Sequence, residues 1–130
     1  MTPTRNTQPG FRITCKKGFH VTFANGWTVS VQFGPSNYSD NYDRVAGYKD
    51  EVWCGEKGSS CAEVAVWGPD GEYSVLNLGG DIVRGWQTPA AVLALMNGAA
   101  NGDLASGKIP PEERSVKHAR QSRAVARRAN

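Results

Sequence analysis

Residues 23–34, FANGWTVSVQFG, reverse the chain between two alternating apolar runs, and the way those runs must match leaves few folds open. Phe19, Val21 and Phe23 recur at every second position before the turn, and Trp27, Val29, Val31 and Phe33 after it, the period of a strand with one buried face. A two-residue turn at Asn25-Gly26 would set Phe23 opposite Thr28 and Val21 opposite Ser30, mixing apolar with polar side chains on each face. A three-residue loop, Ala24-Asn25-Gly26, sets Phe23 against Trp27, Val21 against Val29 and Phe19 against Val31, with His20 against Ser30 and Thr22 against Thr28. A slip of one residue turns every side chain to the other face, so the pattern selects the second register. Gly26 then stands where a type I turn followed by a left-handed bulge residue needs it. One face of the hairpin is core; the other carries His20, Thr22, Thr28, Ser30 and Gln32.

The same grammar extends in both directions. Phe11, Ile13 and Cys15 alternate as a first strand. CAEVAVW (61–67) and EYSVLNL (72–78) flank Pro69-Asp70-Gly71, which supplies a fixed φ, a turn-forming carboxylate and a left-handed glycine. Ile82, Val83 and Trp86 suggest a short further strand within 81–87. Thr88 fits an N-cap with Pro89 at the first helical position, and Val92, Leu95 and Met96 follow at i, i+3, i+4, which predicts a helix from Pro89 to Asn97 that stops at Gly98. The fold class expected is α+β: an antiparallel sheet of four to five strands in two hairpins, one short helix packed on it, and a basic C-terminal extension able to be helical. Residues 1–10 are expected to be a flexible leader, 11–98 the domain, and 99–130 a linker and basic tail.

A chain of 130 residues supports one modest core. No early apolar run resembles a secretory signal and none approaches the ~20 apolar residues that span a bilayer, so a soluble cytoplasmic protein is expected. Three cysteines, Cys15, Cys54 and Cys61, are too few for a disulfide framework and fit a reducing compartment, with a Cys54–Cys61 bridge as the alternative to free thiols. The formal charge of +3 is uneven: residues 1–109 hold nine Lys/Arg against ten Asp/Glu, residues 110–130 six against two.

Five groupings could carry chemistry. His20, Ser30 and Gln32 share the polar hairpin face, and a histidine beside a serine could be base and nucleophile of a small hydrolase, though no carboxylate is placed by sequence to orient the imidazole. A solvated sheet face is the plainer reading. The long segment 34–60 interleaves Tyr38, Tyr42, Tyr48 and Trp53 with Asn37, Asn41, Arg44 and Lys49, which offers stacking planes with adaptable hydrogen bonds, or else aromatics that cap the sheet edge. Cys54 and Cys61 lie seven apart without a paired C-x-x-C, which gives no metal site, and Asp40, Asp43, Asp50 and Glu51 lack EF-hand spacing. No phosphate-binding or dinucleotide-binding glycine motif occurs, and no cofactor is expected. Arg114, Lys117, Arg120, Arg123, Arg127 and Arg128 could neutralise phosphates, or simply form a solvated tail.

The stretch FHVTFANGWTVSVQFGPSNY, with AEVAVW after it, resembles a group of small uncharacterised bacteriophage and prophage proteins, over roughly residues 19–97. In that group a Gly commonly precedes the Asn-Tyr pair and a Cys follows it, where this chain has Ser36 and Ser39. The resemblance implies a phage accessory protein in the host cytoplasm and no catalytic residues. The function expected is binding: engaging and inhibiting a host protein, such as a defence component, or sequestering a ligand, through Asn37, Tyr38, Tyr42, Arg44, Tyr48 and Trp53 with His20, Ser30 and Gln32. Nucleic-acid binding by the basic tail is the alternative, and a hydrolase using His20 and Ser30 the second.

Overall fold

Phe23 and Trp27 close the first hairpin as the apolar pattern requires. In a computed structural model, which describes residues 8–15, 17–43, 58–71 and 83–116, the Phe23 N–H donates to the Trp27 carbonyl at 2.8 Å and the Gly26 N–H to the Phe23 carbonyl at 2.8 Å. Gly26 sits at φ +88°, and a Cβ there would also meet the Pro69 ring at 2.9 Å. The strands that follow from this loop, β2 (Gly18–Thr22) and β3 (Thr28–Gln32), pair Phe19 with Val31, His20 with Ser30, Val21 with Val29 and Thr22 with Thr28.

Three further strands complete an open antiparallel sheet in the order β1-β2-β3-β4-β5: β1 (Gly10–Thr14), β4 (Ala62–Trp67) and β5 (Arg84–Gln87). β4 ends in a second turn of the first one's kind, with the Gly71 N–H on the Gly68 carbonyl at 2.9 Å and φ +85° at Gly71. The strand expected over 72–78 lies outside the described residues. The neighbour of β4 is β5, the strand expected within 81–87, joined with a bulge between Ala62 and Val64.

Helix α1 (Pro89–Asn101) lies on β3 and β4. Thr88 caps it through its Oγ1, which accepts from the Ala91 N–H at 3.2 Å, and Pro89 opens the first turn. The helix outruns its expected end at Asn97. Gly98 does not stop it, because its missing side chain makes room for Leu104, whose Cγ would lie 3.2 Å from a Cβ at that position. The stop is Gly102, in the left-handed conformation at φ +90°. Val21, Val29, Val31, Ala62, Val64 and Val66 of the sheet, with Leu95 and Ala99 of α1 and Leu104 beyond it, form one core.

Leu104 marks a second difference. Where a linker is expected after residue 98, the chain continues along the sheet. The Arg84 guanidinium donates to the Pro110 carbonyl at 2.7 Å, the Thr88 N–H to the Glu113 carbonyl at 3.0 Å, and the Ser115 N–H to the Trp86 carbonyl at 2.7 Å, with an antiparallel bridge between Gln87 and Arg114. Gln87, itself buried, accepts the Glu113 N–H on its Oε1 at 3.1 Å. Composition alone reads this Gly, Asn and Pro content as linker; side-chain bonds from β5 and a single buried leucine hold it down. Among the described residues no helix is long and apolar enough to cross a membrane.

Candidate functional site

The polar hairpin face is not the open surface that the alternation suggests. Thr22, Thr28 and Ser30 are buried, Ser30 with only 6% exposure. The Thr22 and Thr28 hydroxyls bond each other at 2.8 Å, Gln32 Nε2 donates to Ser30 Oγ at 3.2 Å, and Thr14 Oγ1 donates to Gln32 Oε1 at 2.8 Å. Trp67, the cross-strand partner of Thr28, presents its ring to His20 edge-on at 5.0 Å. His20 and Ser30 do stand opposite each other across β2 and β3, but the serine hydroxyl lies inside a network that orders the sheet. A buried hydroxyl gives a substrate no approach.

The aromatic loop behaves differently. Residues 34–43 fold back on the sheet through side-chain amides. Asn37 Oδ1 accepts the Gly34 N–H at 3.1 Å and its Nδ2 donates to Glu63 Oε2 at 3.0 Å. The buried Asn41 donates to the carbonyls of Phe33 at 2.7 Å and Gly58 at 3.2 Å. Asp40 ties the loop to the start of β4, accepting the Ser60 N–H on Oδ2 at 2.7 Å and facing Cys61 Sγ from Oδ1 at 3.7 Å. Burial, reinforced by the Asp40 charge, pushes the Cys61 thiol above its usual range; Cys61 is free and is kept as the neutral thiol.

What this scaffold presents is a stack. Tyr42 lies on Tyr38 with ring centres 5.5 Å apart and 13° between planes, and Tyr38 lies on Trp86 at 4.7 Å and 29°. The Arg114 guanidinium sits over the Trp86 ring at 5.8 Å, and the same guanidinium pairs with Glu112 at 3.5 Å. Trp86 is buried, whereas Tyr38 and Tyr42 keep 38% and 41% of their surface in solvent. The backbone is strained on both sides of the contact, with Trp86 at φ +55° and Ser36 at φ +68°, a region that non-glycine residues rarely enter and that the surrounding packing must sustain. Gly85 completes the fit, since a Cβ there would stand 2.6 Å from the Tyr38 Cβ.

Comparison with protein-family models, with curated proteins and with solved structures finds no match. Of the residues singled out from the sequence, Asn37, Tyr38 and Tyr42 come together, with Asn37 as scaffold and the two tyrosines as surface. Arg114, expected in the basic tail, joins the same stack over the Trp86 ring. Arg44, Tyr48 and Trp53, and likewise Lys117, Arg120, Arg123, Arg127 and Arg128, lie outside the described residues. Trp86 is the floor of the site, and sequence reasoning names it only as a strand residue; the Gly85-Trp86 pair, small beside large in a short strand, is the signal that something packs closely there.

Three further features bound the chemistry. Among the described residues no three His, Cys, Asp or Glu side chains group as metal ligands would. A groove of about 300 Å³ opens between α1 and the sheet, lined by Phe19, Phe33, Val92, Leu93 and Met96, with Gln87 and Cys61 at its polar end. Arg84, buried beneath residues 110–113, is held below its usual basicity by desolvation, which the charge of Glu112 partly offsets.

Proposed function

We propose that this chain is a non-catalytic binding protein of bacteriophage origin that engages a host protein through the Tyr38–Tyr42 surface, with inhibition of a host component, such as a defence protein, as the outcome. The observation that carries the reading is the half-exposed tyrosine pair stacked on a buried tryptophan. Ordering flexible side chains costs affinity at the moment of binding, and a pair already immobilised on Trp86 avoids that cost. Tyrosine and tryptophan are also the side chains that dominate binding energy at protein interfaces. The surroundings are mixed in charge, with Asp43 following Tyr42 in the chain, Glu63 bonded to Asn37 and Glu112 paired to Arg114, which suits a protein surface better than a phosphate backbone. Bacteriophage origin and action in the host cytoplasm rest on the sequence resemblance alone.

The direct experiment is affinity capture from host lysate. The Tyr38→Ser, Tyr42→Ser double variant, shown to unfold at the same denaturant concentration as the parent, should lose the partner that the parent retains. A partner kept equally by both would place the interface elsewhere.

One observation favours a second reading. Arg114 lies over the Trp86 ring, so the basic run that begins there starts from the aromatic stack itself, and a single strand could stack its bases on the tyrosines while the tail meets its phosphates. That reading requires binding to an unstructured oligonucleotide that weakens steeply with salt and is lost on truncation after Val116. Salt-independent binding to a protein favours the first.

A further inference from the structure

Away from the stack, the face of the sheet that carries α1 is only partly covered. The helix packs on β3 and β4, whereas Phe11 and Ile13 of β1 are 82% and 80% exposed. The register sets Phe11 beside Val21 and Ile13 beside Phe19, so both belong to the apolar face and not to the polar one. β1 is also an end of the sheet, and no strand of the described residues pairs with its outer side. An edge strand with open backbone groups and exposed apolar side chains is a template for another strand, and folded chains rarely leave one uncovered.

We propose that β1 pairs antiparallel with β1 of a second copy of this chain, joining two five-stranded sheets edge to edge across a two-fold axis. The patch is self-complementary: an axis normal to the sheet keeps Phe11 and Ile13 of both copies on one face, where the two apolar rows merge and cover each other. Charge excludes one register, and Pro9, which has no N–H to donate opposite Ile13, disfavours centring on Phe11. Centring the pair on Arg12 would set two guanidinium groups opposite each other, whereas centring it on Ile13 sets Ile13 against Ile13 and each Arg12 against a Thr14. The two side chains with the strand edge remove on the order of 500 Å² per copy from water, the size of a weak, reversible dimer. This inference does not depend on the tyrosine surface, which belongs to the loop at the opposite side of the sheet.

Sedimentation equilibrium of the full chain across the micromolar range tests it. The mass should rise from that of one chain towards two with concentration, and Ile13→Lys, which sets two ammonium groups opposite each other at the axis, should hold it at one. Because Ile13 is exposed, the dilute variant should melt with the parent. Should the variant fold poorly, hydrogen exchange on the parent gives the same answer: the amides of residues 10–14 slow as concentration rises. A chain that stays monomeric throughout, exchange at β1 indifferent to concentration, or an Ile13→Lys variant that dimerises as tightly as the parent overturns the proposal. So does a monomer whose β1 takes up an extended peptide of unrelated sequence but not its own copy.

Discussion

The carboxamide of Asn25 accepts the Trp27 N–H on Oδ1 at 3.1 Å and donates from Nδ2 to the Ala99 carbonyl at 2.8 Å. One side chain thus fixes the hairpin loop and satisfies a carbonyl in the last turn of α1, which the helix itself cannot pair. Asn25→Ala should cost about 1–2 kcal/mol in urea unfolding, with Asn25→Asp close behind because it keeps the acceptor and loses the donor. Gly85→Ala acts at the other end of the sheet. Its new methyl meets Tyr38, and the variant should lose about 1–3 kcal/mol together with the near-ultraviolet dichroism of the stacked rings. At Cys61 the folded state holds its proton more tightly than the unfolded chain does. The unfolded thiol therefore ionises first as pH rises, so this contribution to stability is complete below the usual thiol range and shrinks above it. In alkylation at neutral pH the exposed Cys15 should react far faster than Cys61; equal rates would contradict the assigned environment.

Among the elements, the segment after α1 changes how the tail must be studied. Leu104 is fully buried against Gly98 and the core, so Leu104→Ala should destabilise by about 3 kcal/mol, a loss no linker residue would produce. Residues 110–115 run beside β5 and supply partners to Arg84, Trp86, Gln87 and Thr88. Truncation at Pro110 removes those partners and should lower the melting temperature by more than truncation after Val116, which keeps them. Only the second cut separates a role of the basic tail from loss of the fold. The elements best read from sequence are those with a local rule: the three-residue loop from period-two matching, and the helix start from Thr88-Pro89. The helix runs past Gly98 to Gly102 because Gly98 serves a contact with Leu104, and a glycine's purpose is not written in its neighbours.

For the whole molecule, the order β1-β2-β3 and the choice of core face follow from alternation and short connections, whereas the places of β4 beside β3 and of β5 beside β4 follow long intervening segments and are not legible from those rules. The surface does not follow in the same way. The polar hairpin face looks solvated by pattern, yet Trp67 crosses it to His20 and the hydroxyls bond among themselves, an outcome that depends on which strand lies beside β3. Tyr38 and Tyr42 were legible as aromatics in a polar loop, but their platform was not, because it needs Trp86 in a left-handed conformation next to a glycine in a strand 48 residues away along the chain from Tyr38. The central claim is that this preformed pair is the binding surface. The measurement that reaches it most directly is parallel capture from bacterial host lysate by the full chain and by its Tyr38→Ser, Tyr42→Ser variant at matched stability. A specific protein should bind the parent and be weakened roughly tenfold or more in the variant; the same proteins retained with equal affinity by both would place the binding surface elsewhere.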